Sequence, residues 1–401
     1  MRIVQWAAAL AVASILLAAP ASAQRDHVLC YKIKTTLFEP KLPRGFTARV
    51  EDALDPNNAL LLDPNEVPGE RSTFNLKKVK EVCIPSDMDG LGLIDPDSHW
   101  VVYDIKAGKG GCANDPAIAC KKERDCSAVG GACNLHGKFT RKLARNQGVR
   151  IVDQFNDIRV DMSRESSLMV PATMDGDGFL GLPNPAEQYK CYAIKPTKKL
   201  CEDGDNAGNS CRNDNDCPDG TCVALPKFPK DTHPDGLEAD LVNPITTAFD
   251  VPDPDRPFAL RKLKMFCQAA DKKMVGEPVD ERIEAQAGLL CYTVKAPKFA
   301  CDGGDQDNQA CRNDDDCVGT APVPVDGVCR AEPKFDNRDP KALGFHVEDA
   351  IFQHRLDLRK EEVLCVPACK EPPVAASFSP HVLRLNSVQI PNSGHAFGAC
   401  Q

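Results

Sequence analysis

The sequence predicts an all-β protein built from four tandem small disulfide-stapled β domains with Cys-rich loop inserts. Three observations predict it: a strand-like segment that recurs four times, 20 cysteines, and 32 prolines with 27 glycines against few aromatics. Frequent turn formers disfavour long helices and suit short strands joined by tight connections.

The recurring segment opens each unit. It reads Leu29-Cys30-Tyr31-Lys32-Ile33-Lys34, Val101-Val102-Tyr103-Asp104-Ile105-Lys106, Lys190-Cys191-Tyr192-Ala193-Ile194-Lys195 and Leu290-Cys291-Tyr292-Thr293-Val294-Lys295. Four of the five tyrosines occupy this one position. With the two-residue period of a strand, each Tyr shares a face with the following Ile or Val, which makes that the expected core face. A second segment marks the middle of a unit: Val50-Glu51-Asp52-Ala53-Leu54, Ile151-Val152-Asp153-Gln154-Phe155 and Val347-Glu348-Asp349-Ala350-Ile351, with a weaker counterpart near Leu241-Val242. A third closes it, with an apolar residue followed seven positions later by Cys or Met: Leu76 and Cys83, Met162 and Met169, Leu260 and Cys267, Leu358 and Cys365.

These landmarks divide the chain into a signal peptide at 1–23, units at 24–95, 96–185, 186–285 and 286–370, and a tail at 371–401. The leader is read from Arg2, the apolar run from Ala7 to Ala19 and the small residues Ala21-Ser22-Ala23. Asp87-Met88-Asp89-Gly90 and Met174-Asp175-Gly176-Asp177-Gly178 read as turns between units. No apolar run is long enough to span a bilayer, so no membrane insertion is expected and the chain is placed outside the cytoplasm, extracellular or periplasmic.

Cysteine pairing tests the repeat. If the first and closing strands of a unit are neighbours, Cys30 pairs with Cys83, Cys191 with Cys267, and Cys291 with Cys365. The second unit has Val102 and Met169 at both positions, a correlated replacement that fits contact between them. A bridge closing so long a loop stabilises by about 4 kcal/mol in the chain-entropy model, a large share for a small domain. The second unit is therefore expected to be the least stable alone. Twelve further cysteines form three inserts after the first strand of units two to four: Cys112, Cys120, Cys126 and Cys133; Cys201, Cys211, Cys217 and Cys222; Cys301, Cys311, Cys317 and Cys329. Each implies two local bridges, with three connectivities open. Cys369 and Cys400 remain, and pairing them would pin the tail.

The inserts hold the sharpest chemical option. Asp203, Asp205, Asp214 and Asp216 in one, and Asp302, Asp305, Asp314 and Asp316 in the next, are a candidate calcium set, because calcium takes six to eight oxygen ligands. Asp and Asn are equally the residues of tight turns, and the first insert, Cys120-Lys121-Lys122-Glu123-Arg124-Asp125-Cys126, keeps few ligands, so turn chemistry is the preferred reading. Zinc is disfavoured by cysteine spacing and an oxidising setting. The eight histidines are scattered, and His27 and His99 at equivalent positions suit strand entry. No nucleophile elbow, Cys–His pair or His-Glu-x-x-His motif is present, which argues for a non-enzyme. A net charge of −9 argues against nucleic acid as a partner. Lys34, Lys106, Lys195 and Lys295 read as residues that discourage edge pairing, in preference to contacts for an acidic ligand.

The Cys-Tyr-x-Ile-Lys opening, Val-Glu-Asp-x-Leu centre and Val-Cys-Ile-Pro closure resemble an uncharacterised Cys-containing β-rich repeat domain of secreted bacterial proteins, over about residues 27 to 370. The inserts resemble Cys-rich segments of the form Cys-x-Asn-Asp-x-Asp-Cys-x-x-Gly-x-Cys. The resemblance implies secretion and repetition and transfers no functional residue. The expected function is a secreted non-catalytic binding or structural protein with no required cofactor and an unknown protein or glycan partner. The alternatives are a calcium-stabilised adhesion protein, a secreted hydrolase with an unrecognised site, and a protease inhibitor presenting the insert loops.

Overall fold

The structure is a computed structural model. It describes residues 26–37, 39–43, 46–52, 72–90, 92–107, 110–115, 118, 120–135, 148–174, 187–234, 236–242, 256–274, 279–280, 287–295, 299–302, 317–318, 327–331, 345–349 and 351–370. The leader and the tail with Cys400 lie outside these residues, as do Asp305, Asp314 and Asp316.

Strands account for every long element. The first unit supplies β1 (His27–Thr35), β2 (Thr47–Asp52) and β3 (Ser72–Met88). The second supplies β4 (His99–Ala107), the insert hairpin β5 (Gly110–Cys112) with β6 (Cys133–Leu135), then β7 (Val149–Asp153) and β8 (Asp157–Met174). In the third follow β9 (Tyr189–Pro196), the hairpin β10 (Lys199–Cys201) with β11 (Cys222–Ala224), β12 (Glu238–Val242) and β13 (Arg256–Met274). A short β14 (Val279–Asp280) precedes β15 (Ala287–Lys295), the hairpin β16 (Phe299–Asp302) with β17 (Val328–Ala331), β18 (Phe345–Asp349) and β19 (Gln353–Lys370).

All-β content and disulfide stapling agree with the sequence, but the expected row of four small sheets does not appear. Among the described residues, thirteen strands form one sheet. Its spine is a closed antiparallel ring: β1 pairs β3, β3 pairs β4, β4 pairs β8, β8 pairs β9, β9 pairs β13, β13 pairs β15, β15 pairs β19, and β19 returns to β1. The reason is length. Each closing strand has 17 to 19 residues against 8 or 9 in a first strand. In β3 one edge pairs β1 and β2 of its own unit while the other pairs β4 of the next, since unpaired backbone groups in a core are costly.

The four middle strands lock this ring across its diameter. Strand β2 pairs its own β3 and the third unit's β13, while β7 pairs β8 and the fourth unit's β19. In the same way β12 joins β13 to β3, and β18 joins β19 to β8. Each bridge closes a six-strand circuit drawn from three units, such as β2-β3-β4-β8-β9-β13. No unit completes a circuit by itself.

Two bulges in every closing strand bend the sheet. Register against the neighbouring first strand slips between Leu76 and Lys78 and between Val79 and Glu81 in β3, and at the equivalent places in β8, β13 and β19. The core-facing residues of β3 accordingly run Phe74, Leu76, Val79, Val82, Ile84, with two steps of three among steps of two. Bulges add twist and curvature, which a closed sheet requires.

The two faces of the sheet bury two clusters. The larger holds the four repeated tyrosines with Phe74, Phe258, Phe266 and the apolar residues of the middle strands. The smaller draws on all eight ring strands and contains Cys30, Cys83, Val102, Met169, Cys191, Cys267, Cys291 and Cys365. Cys30 is bonded to Cys83, Cys191 to Cys267 and Cys291 to Cys365, each pair directly opposed across its two strands. Val102 and Met169 are Cα partners in the same way, so the second unit fills its place in this cluster by apolar contact alone. All eight side chains are fully buried. Sulfurs of neighbouring units also meet: Cys267 Sγ lies 4.0 Å from Cys291 Sγ.

The joint Asp87–Gly90 is a turn, with Asp89 at φ 55° and Gly90 at φ 74°, and Asp89 is bonded at both its backbone and its carboxylate to Asp240 of β12. Gly288 stands where other units carry His27 or His99, and a side chain there would lie 2.7 Å from the Phe266 ring.

Candidate functional site

The buried polar groups lie where opposite units meet. Three of the repeated Tyr hydroxyls each reach an Asp that a centre motif places at the end of a bridging strand. Tyr192 Oη donates to both oxygens of Asp52, at 3.0 and 2.8 Å. Tyr103 Oη donates to Asp349 Oδ2 at 2.6 Å, and Tyr292 Oη to Asp153 Oδ2. These contacts join unit three to one, two to four, and four to two. Tyr31 is equally buried, and the segment of its circuit beyond Val242 lies outside the described residues.

The second carboxylate oxygen shapes the turn behind each bridging strand. Asp153 Oδ1 accepts from the backbone of Phe155 and Asn156, and Asp349 Oδ1 from that of Ile351 and Phe352. An Asp at this spot thus closes its own loop and holds a Tyr from across the ring. Burial raises both carboxyls to about 6, with the Tyr and backbone donors opposing the shift in part. Burial also lifts the Tyr103 and Tyr292 hydroxyls well above their usual value, reinforced by the adjacent Asp charge.

Two ties are extended by histidine. His354 Nε2 lies 2.7 Å from Tyr103 Oη and 4.0 Å from Asp349 Oδ2, and burial lowers it to about 4. His233 Nε2 meets Asn156 Oδ1 at 2.8 Å, while Asn156 Nδ2 donates to Tyr292 Oη at 2.8 Å. Phe228, on the segment returning from the second insert, packs edge-on against His233 and tilted against Tyr292. His27 contacts Gln154 and His99 the carbonyl of Asp97, so these two do not share a site.

The ties predict a pH dependence. A folded-state value near 6 against 3.8 means that native Asp153 and Asp349 hold protons the unfolded chain has lost. Stability from this source is full below about pH 3.8 and is lost as pH rises through 6. His354 acts in the opposite sense: its share is present above pH 6.5 and lost as pH falls through about 4. Asp153 has no such opposing partner at hydrogen-bond distance. Asp153→Asn should therefore flatten the stability decline between pH 4 and 7 by about 3 kcal/mol, read by urea unfolding at each pH. Tyr292→Phe should cost about 1–3 kcal/mol at pH 7, because it strips a donor from a buried carboxylate.

The inserts share one design. Cys112 is bonded to Cys126 and Cys120 to Cys133; Cys201 to Cys217 and Cys211 to Cys222; Cys301 to Cys317. First-to-third pairing therefore recurs in all three, with second-to-fourth in the two whose cysteines are all described. Asp216 Oδ2 accepts from Arg212 N at 2.8 Å and Asp214 Oδ1 from Cys222 N at 2.8 Å. Asp125 does the same for Lys121 and Lys122 in the first insert. Gly220 lets the backbones touch, since a Cβ there would lie 2.0 Å from the Asp203 carbonyl oxygen.

Of the five described members of the calcium set, Asp214 and Asp216 are thus engaged in turns. Asp203 and Asp205 are exposed nearby, and among the described residues the only close clusters of ligand-type atoms are the bonded sulfurs of Cys112, Cys120 and Cys126 and of Cys201, Cys211 and Cys217, which have no thiolate to offer a metal. Of the third insert only Asp302 is described, on β16. Asp214→Ala with Asp216→Ala should make the second insert more protease-sensitive, equally with calcium or chelator present. Cys369 is disulfide-bonded, and its expected partner Cys400 lies outside the described residues.

Among the described residues, one end of the ring forms a polar mouth. Lys264, the second bulge residue of β13, donates to Glu81 of the opposite unit at 2.6 Å and to Glu362 at 3.1 Å. Glu81, Ser167, Met265 and Val363 lie below it as a buried floor over the cystines.

Sequence reasoning located the tyrosines and the Val-Glu-Asp motif but missed their partnership. The signal was a polar group recurring in each of two core-facing repeats, Tyr in four units and Asp in three, which a dry core must satisfy mutually. No family model, curated protein or solved structure matches the chain.

Proposed function

We propose that this chain is an exported, non-catalytic binding or structural protein whose interlocked ring serves as a rigid platform for its cystine hairpins and its polar mouth. The observation that carries the reading is the use made of titratable groups. Tyr103, Tyr192 and Tyr292 with their Asp partners are buried and committed to the same inter-unit contact three times over. Catalysis needs one asymmetric, accessible and preorganised constellation, and repeated buried ties serve cohesion instead. The disulfides fit an oxidising environment, and among the described residues no helix is long and apolar enough to cross a membrane.

The test is a panel of ester, peptide, phosphate and glycoside substrates offered to the oxidised full-length protein. No turnover above buffer is expected. Turnover that Asp349→Asn or His354→Gln abolishes would replace this reading with the hydrolase one, since that trio is the least symmetric of the ties.

A further inference from the structure

The chain carries a net charge of −9, yet one end of its ring is basic. Strands β1, β4, β9 and β15 run parallel to one another around the ring, each antiparallel to both neighbours, so their last residues share one end. Those residues include Lys34, Lys106, Lys195 and Lys295, all exposed. At the lysines each strand has a ladder partner on one side only, with Lys34 opposite Asp357, Lys106 opposite Asn75, Lys195 opposite Asp161 and Lys295 opposite Ala259, so their side chains stand at the open ends of the ring strands.

A second quartet stands beside the first. The first bulge of each closing strand presents Lys78, Arg164, Lys262 and Lys360, again exposed, opposite Asp104, Ala193, Thr293 and Lys32. Bulges turn two successive residues to one side, which doubles the charge each repeat delivers there. Lys32 and Lys360 are direct Cα partners, an arrangement of like charges that destabilises a sheet unless an anion lies between them. Within the protein Glu362 is the near anion, already bonded to Lys264.

We propose that this mouth binds an acidic polysaccharide, with the carboxylate or sulfate groups of successive sugars seated on the lysine and arginine quartets of successive repeats. The claim rests on the non-catalytic binding reading and names its partner. Among the described residues no aromatic side chain is exposed for nucleic-acid bases to stack on, and of the exposed large apolar side chains only Leu37 lies within five residues of a quartet member, too little apolar surface for a peripheral protein to enter a membrane. The buried floor of Glu81, Ser167, Met265 and Val363 stops a ligand at the rim. Periodic charge on a closed rim matches periodic charge on a sugar chain.

The experiment uses the oxidised full-length protein with heparin as the sulfated probe and polygalacturonate as the carboxylated one. Wild type should bind at least one of them at low salt and weaken steeply as salt rises. Lys34→Glu, Lys106→Glu, Lys195→Glu and Lys295→Glu combined should weaken binding by about 100-fold, while reversal of the exposed Lys121, Lys198, Lys227 and Lys230 should change it by less than about threefold. Equal loss in both variants, retention in the rim variant, or no binding of either glycan overturns the proposal. So does tighter rim-dependent binding of duplex DNA or of phosphatidylglycerol vesicles. Should the rim variant fail to fold, acetylation footprinting of wild type decides, with the glycan expected to protect the four rim lysines and not the four control lysines. Shortening of the glycan during incubation would instead defeat the non-catalytic reading while leaving rim binding intact.

Discussion

Excised alone, the first unit (24–95) should not fold: its amide spectrum should be collapsed and its Cys30–Cys83 bond readily reduced, whereas the whole chain unfolds in one transition. The expectation follows from where β3 finds its partners. Residues 74–83 pair with β4 of the second unit, 87 and 88 with β12 of the third, and only 81–86 and 72–75 pair within the unit. Excision would expose Phe74, Leu76 and Val82, all buried in a cluster shared with the other units. Asp52 would likewise lose Tyr192 of the opposite unit. The remnant, with β1 on residues 81–86 of β3 and β2 on residues 72–75, is nowhere more than two strands wide; such a sheet is marginal in water, and one disulfide does not supply a core. The same reasoning replaces the expectation that the second unit is merely the weakest of four independent modules. On this reasoning none of the four units should fold when excised.

The second large effect is a gain. Val102→Cys with Met169→Cys should form a fourth bridge and raise stability by up to about 4 kcal/mol in the chain-entropy model, less any strain. Val102 and Met169 hold the register that Cys30 and Cys83 hold in the first unit, and both are fully buried in the same cluster. Peptide mapping under non-reducing conditions would identify the new bond, and guanidinium unfolding would measure its effect. Each single replacement, Val102→Cys or Met169→Cys, should instead lower stability. It leaves a buried thiol 
beside two cystines, open to exchange with them during oxidation.

Much of the local structure was legible in the residues. The alternation in Leu29-Cys30-Tyr31 assigned both faces of β1 correctly, with Cys30 in one cluster and Tyr31 in the other. The paired loss of Cys at positions 102 and 169 pointed to their contact before any coordinates. What the sequence left open was partner choice. Alternation tells which side of a strand is buried, not which strand lies alongside, and β3 is long enough to serve three neighbours besides its own first strand. The steps of three from Leu76 to Val79 to Val82 were visible, and they mark the bulges that curve the sheet. Net charge is silent on clustering for a related reason: it sums over the chain, whereas the fold places Lys34, Lys106, Lys195 and Lys295 at the same end of parallel strands.

Closure of the ring between its first and last strands is the claim on which the rest depends, and Lys32 with Lys360 offers the most direct probe. They are Cα partners across β1 and β19. Treating the monomeric, oxidised protein with a short amine-reactive cross-linker and mapping the peptides should give a Lys32–Lys360 link within one chain. Links from Lys32 confined to lysines of residues 24–95, with the Lys360 link absent or found only in dimers, would contradict a closed ring.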